Sequence, residues 1–247
     1  MTSDGQDSPE DPVAGWSRLH GEDVSGNRVV VVWLRVVHRL AAGRLLGRAN
    51  PDVLSAAGVL AAVAAVIAVS ARWPLVALVL VLATGVLDGL DGAVALRTGR
   101  ARPLGAVIDA VADRLADLCL VGVLVVLGAD PRLGIGLAAA VLLHEYARTK
   151  AQSVGMGSAG AITVAERPTR VIIVVVACGG AGLAPAGTPG TSWSWGLVCG
   201  VLWAACVVVG GVQLVIGIRR ALTGRPWVDS RGTDQRGDDR GRHRDQR

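Results

Sequence analysis

Residues 74–126 read PLVALVLVLATGVLDGLDGAVALRTGRARPLGAVIDAVADRLADLCLVGVLVV, two long apolar runs that carry five aspartates and meet at an Arg-rich turn. Each run is long enough for an α-helix to cross a hydrocarbon core, which takes ~20 residues. Asp88 and Asp91 are three apart, and Asp109 and Asp113 are four apart, so each pair occupies one face of its helix. An ionised carboxylate in hydrocarbon costs about 2.5–3.5 kcal/mol even on lenient insertion scales, so a group of them requires a compensating cation or a wet cavity. A turn near residues 96–104 makes the two helices antiparallel and brings both pairs to similar depth.

The rest of the chain extends this pattern. Of its 247 residues 51% are hydrophobic, and they gather in blocks instead of alternating with polar residues, which is the signature of a membrane protein. With 3% aromatics and no Phe, those blocks are built from Ala, Val, Leu and Gly, small residues that let helices approach closely. The expected fold is all-α and polytopic, with six transmembrane helices at about 53–71, 74–95, 104–127, 133–151, 170–185 and 195–218. The fifth is the shortest. Val29 to Leu46 mixes an apolar run with Arg35, Arg39 and Arg44, which predicts an amphipathic interfacial helix over 28–49 ahead of a six-helix domain at 50–220. Residues 1–27 and 221–247 are polar and too poor in apolar residues to bury a core, and are read as disordered tails. Asp4, Asp7, Glu10 and Asp11 at the start argue against a cleaved signal peptide.

The net charge of +5 does not call for nucleic acid, because the Arg residues flank apolar spans. Arg28 to Arg48 precede the first span, Arg97, Arg100 and Arg102 join the second to the third, and Arg148, Lys150, Arg167 and Arg170 join the fourth to the fifth. Basic residues mark cytoplasmic loops, so both termini of this multi-pass chain are expected in the cytoplasm, with Trp73, Trp193 and Trp195 at the outer interface of the cell membrane. Cys119, Cys178, Cys199 and Cys206 lie in apolar stretches without CxxC spacing and read as packing residues.

Two facing pairs of carboxylates make an oxygen-rich site for hard cations. With few nitrogen or sulfur ligands nearby, Mg²⁺ or Mn²⁺ fits better than zinc or copper, and two such ions suit phosphoryl chemistry. Gly89, Gly92, Ala95 and Gly105 remove bulk beside the acids and let a diphosphate approach the backbone. Asp117 continues the Asp109 and Asp113 face one turn deeper and is read as a buried helix-to-helix ion pair or a residue that orients the ligands. His144 is read as a hydrogen-bonded helix residue.

These positions resemble the signature of the CDP-alcohol phosphatidyltransferases, DxxDGxxAR, eight residues, then GxxxDxxxD. Asp88, Asp91, Gly92, Ala95, Gly105, Asp109 and Asp113 match with every spacing intact, and the departure is Leu96 at the signature Arg, with Arg97 immediately after. The segments Glu145–Lys150 and Glu166–Arg170 look like the corresponding stretches of actinobacterial phosphatidylinositol-phosphate synthases.

The resemblance implies a phospholipid-biosynthetic transferase that joins the phosphatidyl group of CDP-diacylglycerol to a small polar alcohol, inositol phosphate first and glycerol 3-phosphate second, with release of CMP. It implies metal ligation by Asp88, Asp91, Asp109 and Asp113, with Asp113 also the catalytic base. Donor binding falls to Gly92, Ala95, Arg97 and Gly105, and binding of the acceptor phosphate to Arg148, Lys150, Arg167 and Arg170. By analogy with the family, a homodimer in the bilayer is expected. Two other readings are a catalytically impaired homologue, which Leu96 favours, and an ion-coupled transporter. The transporter is disfavoured because the four acids cluster in one hairpin instead of in matching halves of an inverted repeat.

Overall fold

A computed structural model describes residues 50–98, 102–156 and 163–223, without the side chains of Leu96 and Arg97. The amphipathic helix expected at 28–49 and both tails lie outside the described residues. Within them the chain is all-helical, with six α-helices: α1 Pro51–Ser70, α2 Pro74–Arg97, α3 Pro103–Val126, α4 Pro131–Ser153, α5 Arg167–Leu183 and α6 Trp195–Leu222.

The starts of these helices are written locally. Pro51, Pro103 and Pro131 stand in the first turns of α1, α3 and α4, where a missing N–H costs nothing and φ is already helical. Asn50 caps α1 by accepting from the Asp52 N–H at 3.1 Å, Asp130 caps α4 from the Arg132 N–H at 2.7 Å, and Ser194 caps α6 from the Leu197 N–H at 3.2 Å. The turn after α3 needs glycine at Gly128, where φ is +102° and an added Cβ would lie 2.7 Å from Ser194. The Ser194 hydroxyl donates to the Gly128 carbonyl at 2.8 Å, and the Gly196 N–H donates to Leu127 O at 3.2 Å, which joins the α3–α4 turn to the start of α6.

Three helices, α1, the part of α2 from Pro74 to Ala95, and α6, are long and apolar enough to cross a membrane. Of the others, α3 carries Asp109, Asp113, Arg114 and Asp117, α4 carries a charged final half, and α5 has 17 residues.

Packing places α1 against both α2 and α3, while α2 and α3 approach each other directly at few places. The expected hairpin is therefore splayed, with α1 as its common backing. Small residues permit this: a Cβ on Gly58 would lie 3.8 Å from Leu87, one on Gly122 3.6 Å from Val66, and Thr84 donates to Leu80 O at 3.1 Å within α2 while reaching Gly58 O at 3.4 Å. A buried cluster including Leu120, Leu124, Val141, Val174, Cys178 and Trp203 ties α3, α4, α5 and α6 together. It fixes α3 and α5 relative to each other, and with them the charged residues at one end of the bundle.

Candidate active site

The four aspartates of the motif line one cleft, together with Ser55, Gly58, Val59, Ala112 and Arg167. Carboxylate oxygens of Asp88, Asp109 and Asp113 lie within 4.8 Å of one another. Asp91 stands beside this trio and is almost fully buried; its Oδ2 accepts from the Ser55 hydroxyl at 2.5 Å and its Oδ1 from the Gly92 N–H at 2.6 Å.

Arg167, in the first turn of α5, brings a guanidinium into the cluster. Its Nη1 lies 2.8 Å from Asp88 Oδ1 and also pairs with Asp113 Oδ1. Arg114 approaches the far oxygen of Asp113 at 3.7 Å but is shared with Asp117 at 3.3 Å and Glu145 at 2.9 Å. Four carboxylates thus face two guanidinium groups, one of them divided among three acids, so the cleft retains a negative excess. Oxygen donors, converging geometry and that excess fit a hard divalent cation, which Asp88, Asp91, Asp109 and Asp113 would hold.

Behind the cluster runs a network of charges linking α3, α4 and α5. Arg148 pairs with Glu166 at 3.3 Å and Glu145 at 3.9 Å, and Glu166 Oε1 accepts the Thr163 N–H at 3.1 Å. Arg170 Nη1 donates to Asp117 Oδ2 at 2.5 Å and its Nε to Ala165 O at 2.9 Å. His144 is buried and lies 3.4 Å from Thr163 Oγ1. At the other edge Arg102, the residue before α3, pairs with Asp52 in the first turn of α1. An added Cβ on Gly105 would meet Arg102 Cγ at 3.3 Å, so the glycine leaves room for that bridge, whereas an added Cβ on Gly92 meets open space.

A family model for CDP-alcohol phosphatidyltransferase matches residues 48–209, which spans α1 to α5 and half of α6. The chain belongs to the CDP-alcohol phosphatidyltransferase family. It is 34% identical over 126 residues to an archaetidylinositol phosphate synthase of Aeropyrum pernix, covering 51% of this chain and 64% of that protein. It is 30% identical over 184 residues to a phosphatidylinositol phosphate synthase of Mycolicibacterium smegmatis, covering 71% of this chain and 81% of the relative. The chain thus spans slightly under two thirds of the length of the archaeal relative. Among solved structures, a phosphatidylinositol phosphate synthase of Mycobacterium tuberculosis with CDP-DAG bound superposes with a TM-score of 0.61 at 25% identity, over 79% of this chain and 99% of that one. The same protein in complex with manganese and citrate gives the same score.

For a CDP-alcohol phosphatidyltransferase, the expected residues fall into four groups. Asp88, Asp91, Asp109 and Asp113 come together. The buried pair expected of Asp117 forms, with Arg170 as its partner. The four basic residues assigned to an acceptor phosphate are spread out: Arg167 sits among the carboxylates, Arg170 is buried against Asp117, Arg148 lies between Glu145 and Glu166, and Lys150 is exposed. Of the donor-side residues, Gly92 is exposed beside Asp91, Ala95 is half-buried, Gly105 adjoins Arg102, and the Arg97 side chain is outside the description. Sequence reasoning gave Ser55 and Asp52 no role, read Arg102 only as a loop charge, and assigned nothing to the bridging acids Glu145 and Glu166 within the segments it compared. Ser55 lies on an apolar helix whose phase against α2 the sequence does not state. The two glutamates stood next to the basic residues that were noticed.

Proposed function

We propose that this family member is a membrane transferase that moves the phosphatidyl group of CDP-diacylglycerol onto a phosphorylated polar alcohol, inositol phosphate in the first place. The observation that carries this reading is the convergence of Asp88, Asp109 and Asp113, with Asp91 beside them, at one end of a helical bundle of apolar exterior. The names of the similar synthases point to inositol phosphate as the acceptor.

In this reading Asp88, Asp91, Asp109 and Asp113 hold two Mg²⁺ or Mn²⁺ ions. Such ions lower the charge that builds on the diphosphate and on the departing oxygen of an in-line displacement. The chain's own residues do the rest. Gly92 opens space beside Asp91 for the diphosphate. Asp113 accepts the proton of the acceptor hydroxyl as that oxygen bonds to the lipid-side phosphorus, and the bond from this phosphorus to the CMP oxygen breaks. Arg167, which pairs with the Asp113 carboxylate, and Arg148 orient the acceptor's phosphate, where a guanidinium makes two charge-assisted bonds at once. Lys150 at the exposed end of α4 completes the basic rim, Arg170 backs it from its buried pair with Asp117, and Ala95, Arg97 and Gly105 flank the donor.

The same reading makes all six helices of a 50–220 domain cross the bilayer, with both termini cytoplasmic and two copies forming a homodimer. Exposed Leu60, Ile67, Val79, Ile135 and Val208 support lipid contact along the bundle, and exposed Trp73 and Trp193 sit on turns away from the acids, as an aromatic belt requires.

CMP release by the purified chain in detergent, with CDP-diacylglycerol, Mg²⁺ and each candidate acceptor in turn, tests the proposal. Release that depends on inositol phosphate and is lost in Asp113→Asn supports it. Release with glycerol 3-phosphate instead moves the acceptor, and no release with any acceptor from folded protein overturns the enzymatic reading.

A further inference from the structure

We infer that Ser55 is a positioning residue for the cation site: its hydroxyl fixes the rotation of the Asp91 carboxylate and so sets how tightly the cluster takes a divalent ion. This rests on the reading that the aspartates hold such an ion. Asp91 is the motif acid outside the converging trio of Asp88, Asp109 and Asp113, yet it lines the same cleft and its carboxylate adjoins that of Asp109. Both of its oxygens are already engaged within its own surroundings. Oδ1 accepts the Gly92 N–H at 2.6 Å, and Oδ2 accepts the Ser55 hydroxyl at 2.5 Å from a different helix. One bond leaves the carboxylate free to turn about it, and two bonds on opposite oxygens fix its plane.

Ser55 has another acceptor within reach, the Pro51 carbonyl at 3.3 Å, the usual partner of a helical serine one turn back. A hydroxyl has one proton to give. The Asp91 oxygen at 2.5 Å is the partner favoured over the Pro51 carbonyl at 3.3 Å, because the shorter contact is the stronger bond. Ser55 and Asp91 are both almost fully buried, so water does not compete for either group. The contact also links α1 to α2 where α1 backs both acid-bearing helices. Each carboxylate oxygen keeps a lone pair for a cation, and their direction is set before the ion arrives. Residues that orient metal ligands typically change metal affinity by about 10- to 100-fold when removed.

Manganese binding to the purified full-length chain, followed by the loss of the free Mn²⁺ signal in electron paramagnetic resonance, reads this without turnover. Ser55→Ala, and Ser55→Cys which keeps the volume but weakens the donor, are expected to raise the Kd for Mn²⁺ about tenfold. Ser55→Thr, which keeps the hydroxyl, is expected to bind as the unsubstituted chain does. Unchanged Mn²⁺ binding in Ser55→Ala and Ser55→Cys, alongside its loss in Asp88→Asn, overturns the role of Ser55 and leaves the metal reading standing. Unchanged binding in Asp88→Asn as well, or none in the unsubstituted chain, overturns the metal reading and this inference with it. Failure of both the Ala and Cys variants to fold, with Thr intact, makes Ser55 structural and also overturns it.

Discussion

Asp117 of α3 and Arg170 of α5 form an ion pair at 2.5 Å with side chains 1% and 5% exposed, one turn below the Asp113 carboxylate. Removing one partner of such a pair leaves an uncompensated charge and costs about 3–5 kcal/mol. Asp117→Asn and Arg170→Met are each expected to lower the thermal unfolding midpoint in detergent by a large margin. The double variant Asp117→Leu with Arg170→Met is expected to recover most of it, since Arg114 keeps Glu145 at 2.9 Å. By contrast Asp52 and Arg102 are 24% and 51% exposed, and Asp52→Ala is expected to cost under about 1 kcal/mol.

Chelation should silence the proposed reaction. Four carboxylates facing two guanidinium groups are an all-oxygen site, so EDTA is expected to abolish CMP release, and added Mg²⁺ or Mn²⁺ to restore it. Asp88→Asn removes one ligand and is expected to shift the metal concentration needed for half activity upward while the chain stays folded. Full activity in EDTA would rule out metal dependence.

Two glycines are expected to respond in opposite ways. A Cβ on Gly196 would press on backbone atoms of Leu124 and Leu127, which cannot yield, so Gly196→Ala is expected to cost about 1–3 kcal/mol of stability with little change in substrate KM. A Cβ on Gly92 meets nothing within 4 Å. Gly92→Ala is expected to leave the unfolding midpoint alone and, on the proposed reading in which that space holds the donor, to raise the KM for CDP-diacylglycerol.

The helices were legible because apolar length and capping residues act locally. The spans read at 53–71 and 74–95 became 51–70 and 74–97, and the one read from 170 begins at Arg167, with Pro168 in its first turn. The acid cluster was legible for the same reason, since i, i+3 and i, i+4 spacing sets a helix face without reference to the rest of the fold. Which helix backs the acids was not legible. It depends on Gly58 and Gly122 meeting Leu87 and Val66, contacts made by shape between segments that all look alike in hydropathy. The partners of the basic residues were hidden for a related reason: Arg170 and Asp117 are 53 positions apart, and nothing at Arg170 says which acid it will meet.

Arg167 supplies the sharpest test of how the proposed acceptor and cation sites share one end of the bundle. Its guanidinium is ion-paired with Asp88 and Asp113, so an incoming phosphate must compete with those carboxylates for its charge, while among the described residues its Nε and Nη1 hold no hydrogen-bond partner. A hydrogen bond to a charged group is worth about 1.5–3 kcal/mol, roughly tenfold to a hundredfold in kcat/KM. Arg167→Gln is expected to lose that factor with inositol phosphate, mostly through KM for the acceptor, while KM for CDP-diacylglycerol stays near its original value. Arg167→Lys keeps the charge without the fork and is expected to recover part of the loss. If the donor KM rises as much as the acceptor KM, the guanidinium acts by arranging Asp88 and Asp113, and recognition of the phosphate passes to Arg148 and Lys150.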